Sequence, residues 1–391
     1  MYNQLIKTLE SKEEQMIAIR RHLHENPELS FEEKETPKYI ADFYEGKDAE
    51  VETNVGANGV KVTIDSGKPG KTIAIRADFD ALPIEEETGL PYASKNKGVM
   101  HACGHDAHTA YMLILADTLI EMKDSFSGKI VVIHQPAEEV PPGGAQTMIK
   151  DGVLEGVDNV IGVHVMSTME TGKMYYYPGF VQTGRAFFKL KIKGKGGHGS
   201  SPHMANDAIV AGSAFVTAVQ TVVSRRLSPF ETGVVTIGSF DGKGPFNVIK
   251  DAVELEGDVR GLTEETKATI EKEIKRLSSG LEAMYGVTCE LEYNDDYPAL
   301  YNDPAFTEYV VNAIKDHSDV QIEQTEPQPP SEDFAYYAKE LPSTFIYSGA
   351  APEDGEIFPH HHPKFNISEK SMMVAAKAVG TAVLTYLNDE K

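Results

Sequence analysis

Residues 100–108, Met100-His101-Ala102-Cys103-Gly104-His105-Asp106-Ala107-His108, hold three histidines, a cysteine and an aspartate. A thiolate at a helix start is favoured by the dipole and the free N–H groups. Cys103 and His105 are close enough to reach one metal from a turn. Gln135-Pro136-Ala137-Glu138-Glu139 follows a β-branched run. Adjacent carboxylates at a strand end point in different directions, so one can bind metal while its neighbour faces substrate. His164 ends another apolar run, and His360-His361-His362 precedes Pro363. Sulfur, nitrogen and oxygen donors together suit Zn²⁺, with Mn²⁺ or Co²⁺ as alternatives. Singly, each piece has a plainer reading. A cysteine before a helix is a small buried hydrophobe, a Glu-Glu pair a solvated turn, a histidine run an exposed loop. Four segments each offering such a residue at a strand end or loop favour the joint reading. A nucleophilic Cys103 with a histidine base is the rival. It leaves Glu138, Glu139, His164 and the histidine run unexplained.

These residues need elements to hold them. Helical periodicity covers residues 4–26, and short apolar runs at 72–75, 129–134 and 159–165 read as strands. Strands alternating with helices predict an α/β domain with a mostly parallel sheet. Such sheets bind ligands beyond the carboxyl ends of their strands, where these runs place their acids and histidines. From about Thr183 the pattern changes to strand 187–193, helix 207–224, strands 233–238 and 252–262, helix 264–285 and strand 287–293. That β-α-β-β-α-β order is the ferredoxin-like α+β unit. The chain then returns to helix 303–317, a Pro- and Gln-rich loop at 324–330, strand 344–347 and a last helix after Ser368. The expected organisation is a discontinuous catalytic domain, 1–182 and 298–391, with an inserted lid or dimerisation domain at 183–297.

Composition narrows the partners. The 391 residues carry 37 Lys+Arg and 60 Asp+Glu, a net charge of −23. That balance excludes nucleic acid, whose phosphates need a concentrated basic surface, and anchoring on anionic lipid. Hydrophobic residues at 41% are enough for a full core. Two cysteines, Cys103 and Cys289, rule out a disulfide framework and fit a reducing cytoplasm. Residues 1–15 show no apolar signal core, and apolar stretches such as 112–116 are too short to span a bilayer.

The chain resembles the M20 metallopeptidase/amidohydrolase family, in the branch of hippurate hydrolases, indole-acetyl-amino-acid hydrolases and N-acetyl-diaminopimelate deacetylases. The likeness runs from Arg20-Arg21-His22-Leu23-His24-Glu25-Asn26-Pro27-Glu28-Leu29-Ser30 through Arg76-Ala77-Asp78-Phe79-Asp80-Ala81-Leu82-Pro83 and His101-Ala102-Cys103-Gly104-His105-Asp106. It continues in Gln135-Pro136-Ala137-Glu138-Glu139, Gly196-Gly197-His198-Gly199-Ser200-Ser201-Pro202-His203 and Ser331-Glu332-Asp333-Phe334, and closes at His361-His362-Pro363-Lys364-Phe365. Pro330 stands where a glycine is common.

The resemblance implies two divalent metal ions, with Cys103 bridging and His105, Glu139, His164 and His361 as the other ligands. It implies Glu138 as general base and Asp80 as the carboxylate that orients the site. Asp78 stands where other branches carry a metal histidine; His105 is read as the replacement, leaving Asp78 no direct role. His361 is preferred to His362 because the branch places its ligand two positions before Pro. His198 is implied to touch substrate or oxyanion, often from the partner subunit of a dimer. Asn247 and Arg260 are implied to hold the substrate carboxylate; the plainer reading of Arg260 is an exposed strand residue. Two metals about 3.5–4 Å apart can hold one bridging water and polarise an amide carbonyl, and Glu138 would shuttle the proton to the leaving amine. The expected activity is metal-dependent hydrolysis of the amide bond of N-acyl or N-aminoacyl amino acids, by a homodimer or higher homo-oligomer. The alternatives are an aminopeptidase or dipeptidase of the same family, and a silent binding protein, which has no use for Glu138. The two connections to the inserted domain predict hinge closure.

Overall fold

The structure is a computed structural model that describes residues 1–389. The chain forms two compact units. One comprises Met1–Val181, Tyr301–Glu326 and the chain from Asp333 on; the other comprises Gln182–Leu300 and Pro327–Glu332.

An eight-stranded sheet forms the middle of the first unit. Its order is Glu50–Val55, Gly59–Asp65, Lys129–Gln135, Thr72–Asp78, Asn159–Met166, Ser343–Gly349, Lys173–Tyr176, Gln321–Gln324. The four strands Lys129–Gln135, Thr72–Asp78, Asn159–Met166 and Ser343–Gly349 run parallel side by side. They are buried almost throughout, as strands covered on both faces must be. That is why their sequences read as continuous apolar runs. The outer strands pair antiparallel at Glu50–Val55 with Gly59–Asp65 and at Gly59–Asp65 with Lys129–Gln135. The helix His105–Glu121 is buried along fifteen of its seventeen residues, so it carries no amphipathic stripe.

The expected helix over residues 4–26 is two helices, Tyr2–Ser11 and Glu13–Glu25. The break falls at Lys12, whose ammonium reaches Asp117 at 2.6 Å and Glu121 at 2.8 Å.

The second unit is ferredoxin-like. Its four-stranded sheet has the order Gly233–Asp241, Ala252–Gly261, Gly184–Lys193, Thr288–Tyr297, every pair antiparallel. Helices Ala208–Arg226 and Glu264–Tyr285 pack on its apolar face through Phe215, Val219, Ile270 and Ile274 against Phe188, Leu190 and Leu255. Its other face is a ladder of charge pairs, Lys189–Glu256, Lys191–Glu254 and Lys193–Glu290. Among the described residues, the helix Ala208–Arg226 alone has the length and hydropathy to cross a membrane, and Ala211, Phe215, Val219 and Val222 spend its apolar side on the core of this unit. Ser213, Thr217, Gln220 and Thr221 interrupt its apolar run. Their side chains bond backbone carbonyls three or four residues back.

Candidate metal centre

Because Lys129–Gln135, Thr72–Asp78 and Asn159–Met166 are sheet neighbours, the segments at their carboxyl ends meet. Those segments bring Glu138 and Glu139, Asp80, and His164. The start of the buried helix adds Cys103 and His105, and the loop before Pro363 adds His361. Gly104 makes this approach possible. Its φ is +93°, and a Cβ there would lie 2.4 Å from a Val165 methyl carbon.

The donor atoms fall into overlapping groups, each within 4.8 Å. Cys103, His105 and His164 form one; Cys103, Glu139 and His361 a second; His105, Glu138 and Glu139 a third. Cys103 Sγ is common to the first two. The tautomers follow from the hydrogen bonds. His105 Nδ1 donates to the Asp80 carbonyl at 2.9 Å and lies 3.2 Å from its carboxylate. His164 Nδ1 donates to the Val165 carbonyl at 2.7 Å. Both rings therefore aim Nε2 at the cluster, the nitrogen a histidine offers a metal when its Nδ1–H is tied to a carbonyl. His164 Nε2 lies 3.4 Å from Cys103 Sγ. His105 Nε2 is buried with no hydrogen-bond partner, and Glu139 Oε1 meets none of good geometry. A buried polar atom left unpaired costs about 1–3 kcal/mol. Two such atoms aimed into one mixed S, N and O donor set fit divalent metal ions.

Asp80 organises this set. Its Oδ2 accepts from the Glu139 amide at 3.0 Å and from Ser30 Oγ at 2.7 Å. His361 is held by its own amide, which donates to the Ala102 carbonyl at 2.9 Å, in a left-handed conformation at φ +65°. Its Nε2 stands 3.2 Å from Glu139. His360 instead takes the Ser167 amide on Nε2 and stands 3.7 Å from Cys103 Sγ. His362 accepts the Lys364 amide and stacks on Phe358.

The electrostatics show the negative charge that a cation would meet. Burial opposes charge on His105, yet Asp78, Asp80 and Glu139 lift it to about 10, so a metal bound here would have to displace the Nε2 proton. Burial, reinforced by Glu139, Glu138 and Asp78, holds the Cys103 thiol well above its usual range. A nucleophilic cysteine needs the opposite shift; a thiolate here requires added positive charge. Burial, with His108 and His360, keeps His164 neutral.

Several residues not assigned a role above brace the cluster from behind. Asp78 accepts from His108 Nδ1 at 2.5 Å and from Arg76 Nη1 at 2.7 Å. His108 Nε2 accepts the Val165 amide at 2.9 Å, so both its nitrogens are spent. Arg76 also holds Asp333 at 2.9 Å, and Gln135 Nε2 binds the same carboxylate at 2.7 Å. The Asp333 amide stands 3.4 Å from Glu138 Oε1. The signal available was spacing: Arg76 and Asp78 alternate on the strand Thr72–Asp78, and His105 and His108 share a helix face. The opening motif acts behind these. Arg20 Nε and His24 Nδ1 each lie 2.8 Å from Asp106, the residue after His105.

In the second unit, strand Gly197–His198 pairs with Val248–Ile249, setting His198 beside Asn247. The Gly199 amide donates to the Asn247 carbonyl at 2.8 Å. His198 Nδ1 accepts from the Ser200 amide at 3.2 Å, so its exposed Nε2 carries the proton. Arg260 is half-buried and pinned by Asp258 at 2.9 Å and Ser331 at 3.1 Å. It sits at the far end of its strand. Eight residues separate it from Ala252, which pairs with Lys193 just before the His198 loop, a strand rise of about 26 Å.

Residues 74–385 match peptidase family M20/M25/M40. The chain belongs to this family. As a member it is a hydrolase. It is 39% identical over 368 residues to the N-acetyl-L-cysteine deacetylase of Bacillus subtilis, covering 94% of this chain and 87% of that one. A solved protein of methicillin-resistant Staphylococcus aureus is 79% identical, with TM-score 0.95 over 99% of this chain and 100% of that one. A Bacillus subtilis dinuclear metal-binding peptidase of family M20 is 32% identical, with TM-score 0.84 over 97% and 99% of the two chains.

Proposed function

We propose that this chain hydrolyses the amide bond of N-acyl amino acids, with Cys103, His105, Glu139, His164 and His361 holding two divalent cations, Zn²⁺ or Mn²⁺, with Co²⁺ an alternative. The observation that carries this reading is the mixed S, N and O donor set itself: Cys103 lies within 4.8 Å of His105 and His164 in one group and of Glu139 and His361 in another, so these five residues form one continuous cluster. When bound, the cations supply Lewis acidity that polarises the amide carbonyl and acidifies water.

Glu138 takes the proton of the attacking water on its carboxylate and delivers it to the amide nitrogen, a poor leaving group until protonated. Asp80 fixes its partners in place through the His105 ring and the Glu139 amide. His198 Nε2–H donates to the oxyanion. Arg260 and Asn247 take the substrate carboxylate, for which a guanidinium fork is the geometric match. The neighbouring buried carboxylates Asp78, Asp333 and Glu33 are already engaged by Arg76 and His108, by Gln135 and the Ala145 amide, and by Asn58 and the Ala137 amide. These three are therefore not open to a free α-ammonium.

Arg260 lies at the end of its strand remote from the turn that leads into the His198 ribbon, so a small substrate reaches both when one comes from a second copy. The edge strand Gly233–Asp241, with exposed Val234 and Phe240, and the helix face of Ile209 and Val210 offer that contact. Unpaired strand edges invite such pairing. A cytoplasmic, reducing compartment would keep Cys103 available.

Two experiments test this. Chelation should abolish turnover of N-acetyl and N-benzoyl amino acids, and Zn²⁺, Mn²⁺ or Co²⁺ should restore it; full activity in metal-free protein rejects the reading. Mixing Glu138→Gln and His198→Ala chains, each inactive alone, should recover about a quarter of wild-type activity if the sites are shared across a two-fold dimer. No recovery rejects sharing.

A further inference from the structure

We propose that Phe31, with Val140 anchored to the same Asp80 oxygen through its neighbour Glu139, forms the subsite for the substrate's acyl group and selects apolar acyl chains; this rests on the amide-hydrolase reading above. The turn Leu29-Ser30-Phe31-Glu32 is closed by the Glu32 amide on the Leu29 carbonyl at 2.9 Å. Phe31 occupies its third position with φ +64°. That position calls for Gly or Asn, and a bulky side chain there is a strained outlier. Strain of this kind persists where surrounding structure over-determines it, and it collects at functional sites.

The turn is clamped on both sides. Before Phe31, Ser30 Oγ donates to Asp80 Oδ2 at 2.7 Å. After it, the buried Glu33 carboxylate accepts the Ala137 amide at 2.9 Å. Ala137 is itself left-handed, at φ +52°. It leads into Glu138, Glu139 and Val140, and the Glu139 amide shares the Asp80 oxygen that Ser30 binds. Phe31 and Val140 therefore each follow a residue tied to one carboxylate oxygen. Both leave their side chains in solvent, 40% and 45% exposed. Isolated exposed apolar residues need no explanation. A strained aromatic on a turn anchored at both ends to the segment that carries Glu138 does. An acyl group is the apolar part of the substrate that must lie next to the carbonyl under attack, and the aromatic ring offers it a face.

The test uses the full chain reconstituted with Zn²⁺ or Mn²⁺, and N-benzoyl and N-acetyl derivatives of one amino acid. Phe31→Ala and Phe31→Gly should each lower kcat/KM on the N-benzoyl substrate by about tenfold or more, the scale of a lost apolar pocket contact, and leave the N-acetyl substrate within about twofold. Phe31→Gly suits the turn and should keep or raise Tm, so its loss cannot be a folding defect. Equal effects on both substrates, or none, overturn the acyl-subsite inference and leave the hydrolase reading standing. A wild-type enzyme that cleaves neither substrate overturns both.

Discussion

The metal cluster and the His198 ribbon are built by opposite means. Around Cys103 and His105 nearly every side chain is buried and held: Asp80 by three partners, Asp78 by Arg76 and His108, Asp106 by Arg20 and His24. In the second unit His198 and Asn247 are exposed and rest on a two-residue strand pairing and one Ser200 contact. The difference follows from what each group must do. A charge-dense ligand set must be fixed before any ion arrives, since each donor repels or misprotonates its neighbours otherwise. A group that meets substrate from outside has to be accessible.

Changes to the two regions should therefore separate function from folding in different ways. The largest effect is expected for Glu138→Gln, which should lower kcat by about 10²–10⁴-fold while metal content, read by elemental analysis, stays at wild type; metal loss would make Glu138 a ligand instead. Next comes Arg20→Met, which leaves the buried Asp106 carboxylate with half its support. Removing one partner of a buried pair costs about 3–5 kcal/mol, so the denaturant midpoint should fall sharply; a shift no larger than that of a surface variant would show that the network is dispensable. His198→Ala should cut kcat/KM by about 10²-fold, as for a lost oxyanion donor, with no change in Tm. A Tm that drops together with activity would make His198 a structural residue.

The smallest effect is a pH slope. His134 is buried against the Tyr44 hydroxyl at 2.9 Å, and burial pushes its pKa down to about 3. The unfolded chain binds this proton below about 6.5 and the folded chain does not. Stability from this group is whole above that value and falls as pH drops toward 3, by at most about 1.4 kcal/mol per pH unit. A double variant, Tyr44→Phe with His134→Leu, should flatten the unfolding free energy between pH 6.5 and 4. An unchanged slope assigns the acid sensitivity to other groups.

Much of the fold was legible because its signals are local. Parallel strands buried on both faces announce themselves as apolar runs, and the β-α-β-β-α-β order of residues 184–297 is a sequence of short-range patterns. The hairpin Glu50–Val55 with Gly59–Asp65 was not legible, since its first strand is mostly exposed and carries no apolar run. The helix Ala208–Arg226 was legible from its apolar run, whose buried residues pack on the sheet of the second unit.

The same division runs through the site. Residue type and order alone determined which groups could act: Cys103, His105, Glu138, Glu139, His164 and the histidine run have donor chemistry wherever they lie. Only the tertiary structure decided which nitrogen each imidazole offers, because that depends on Asp80 and Val165 accepting the other proton. It decided that His361, and not His362, approaches Glu139, because a left-handed turn tied to Ala102 aims one ring inward and leaves the next to stack on Phe358. It also spent His108 on Asp78 and a backbone amide, which its place among three clustered histidines could not reveal. Hydrogen-bond partners and backbone direction come from segments far apart in the chain, and no spacing along one segment encodes them.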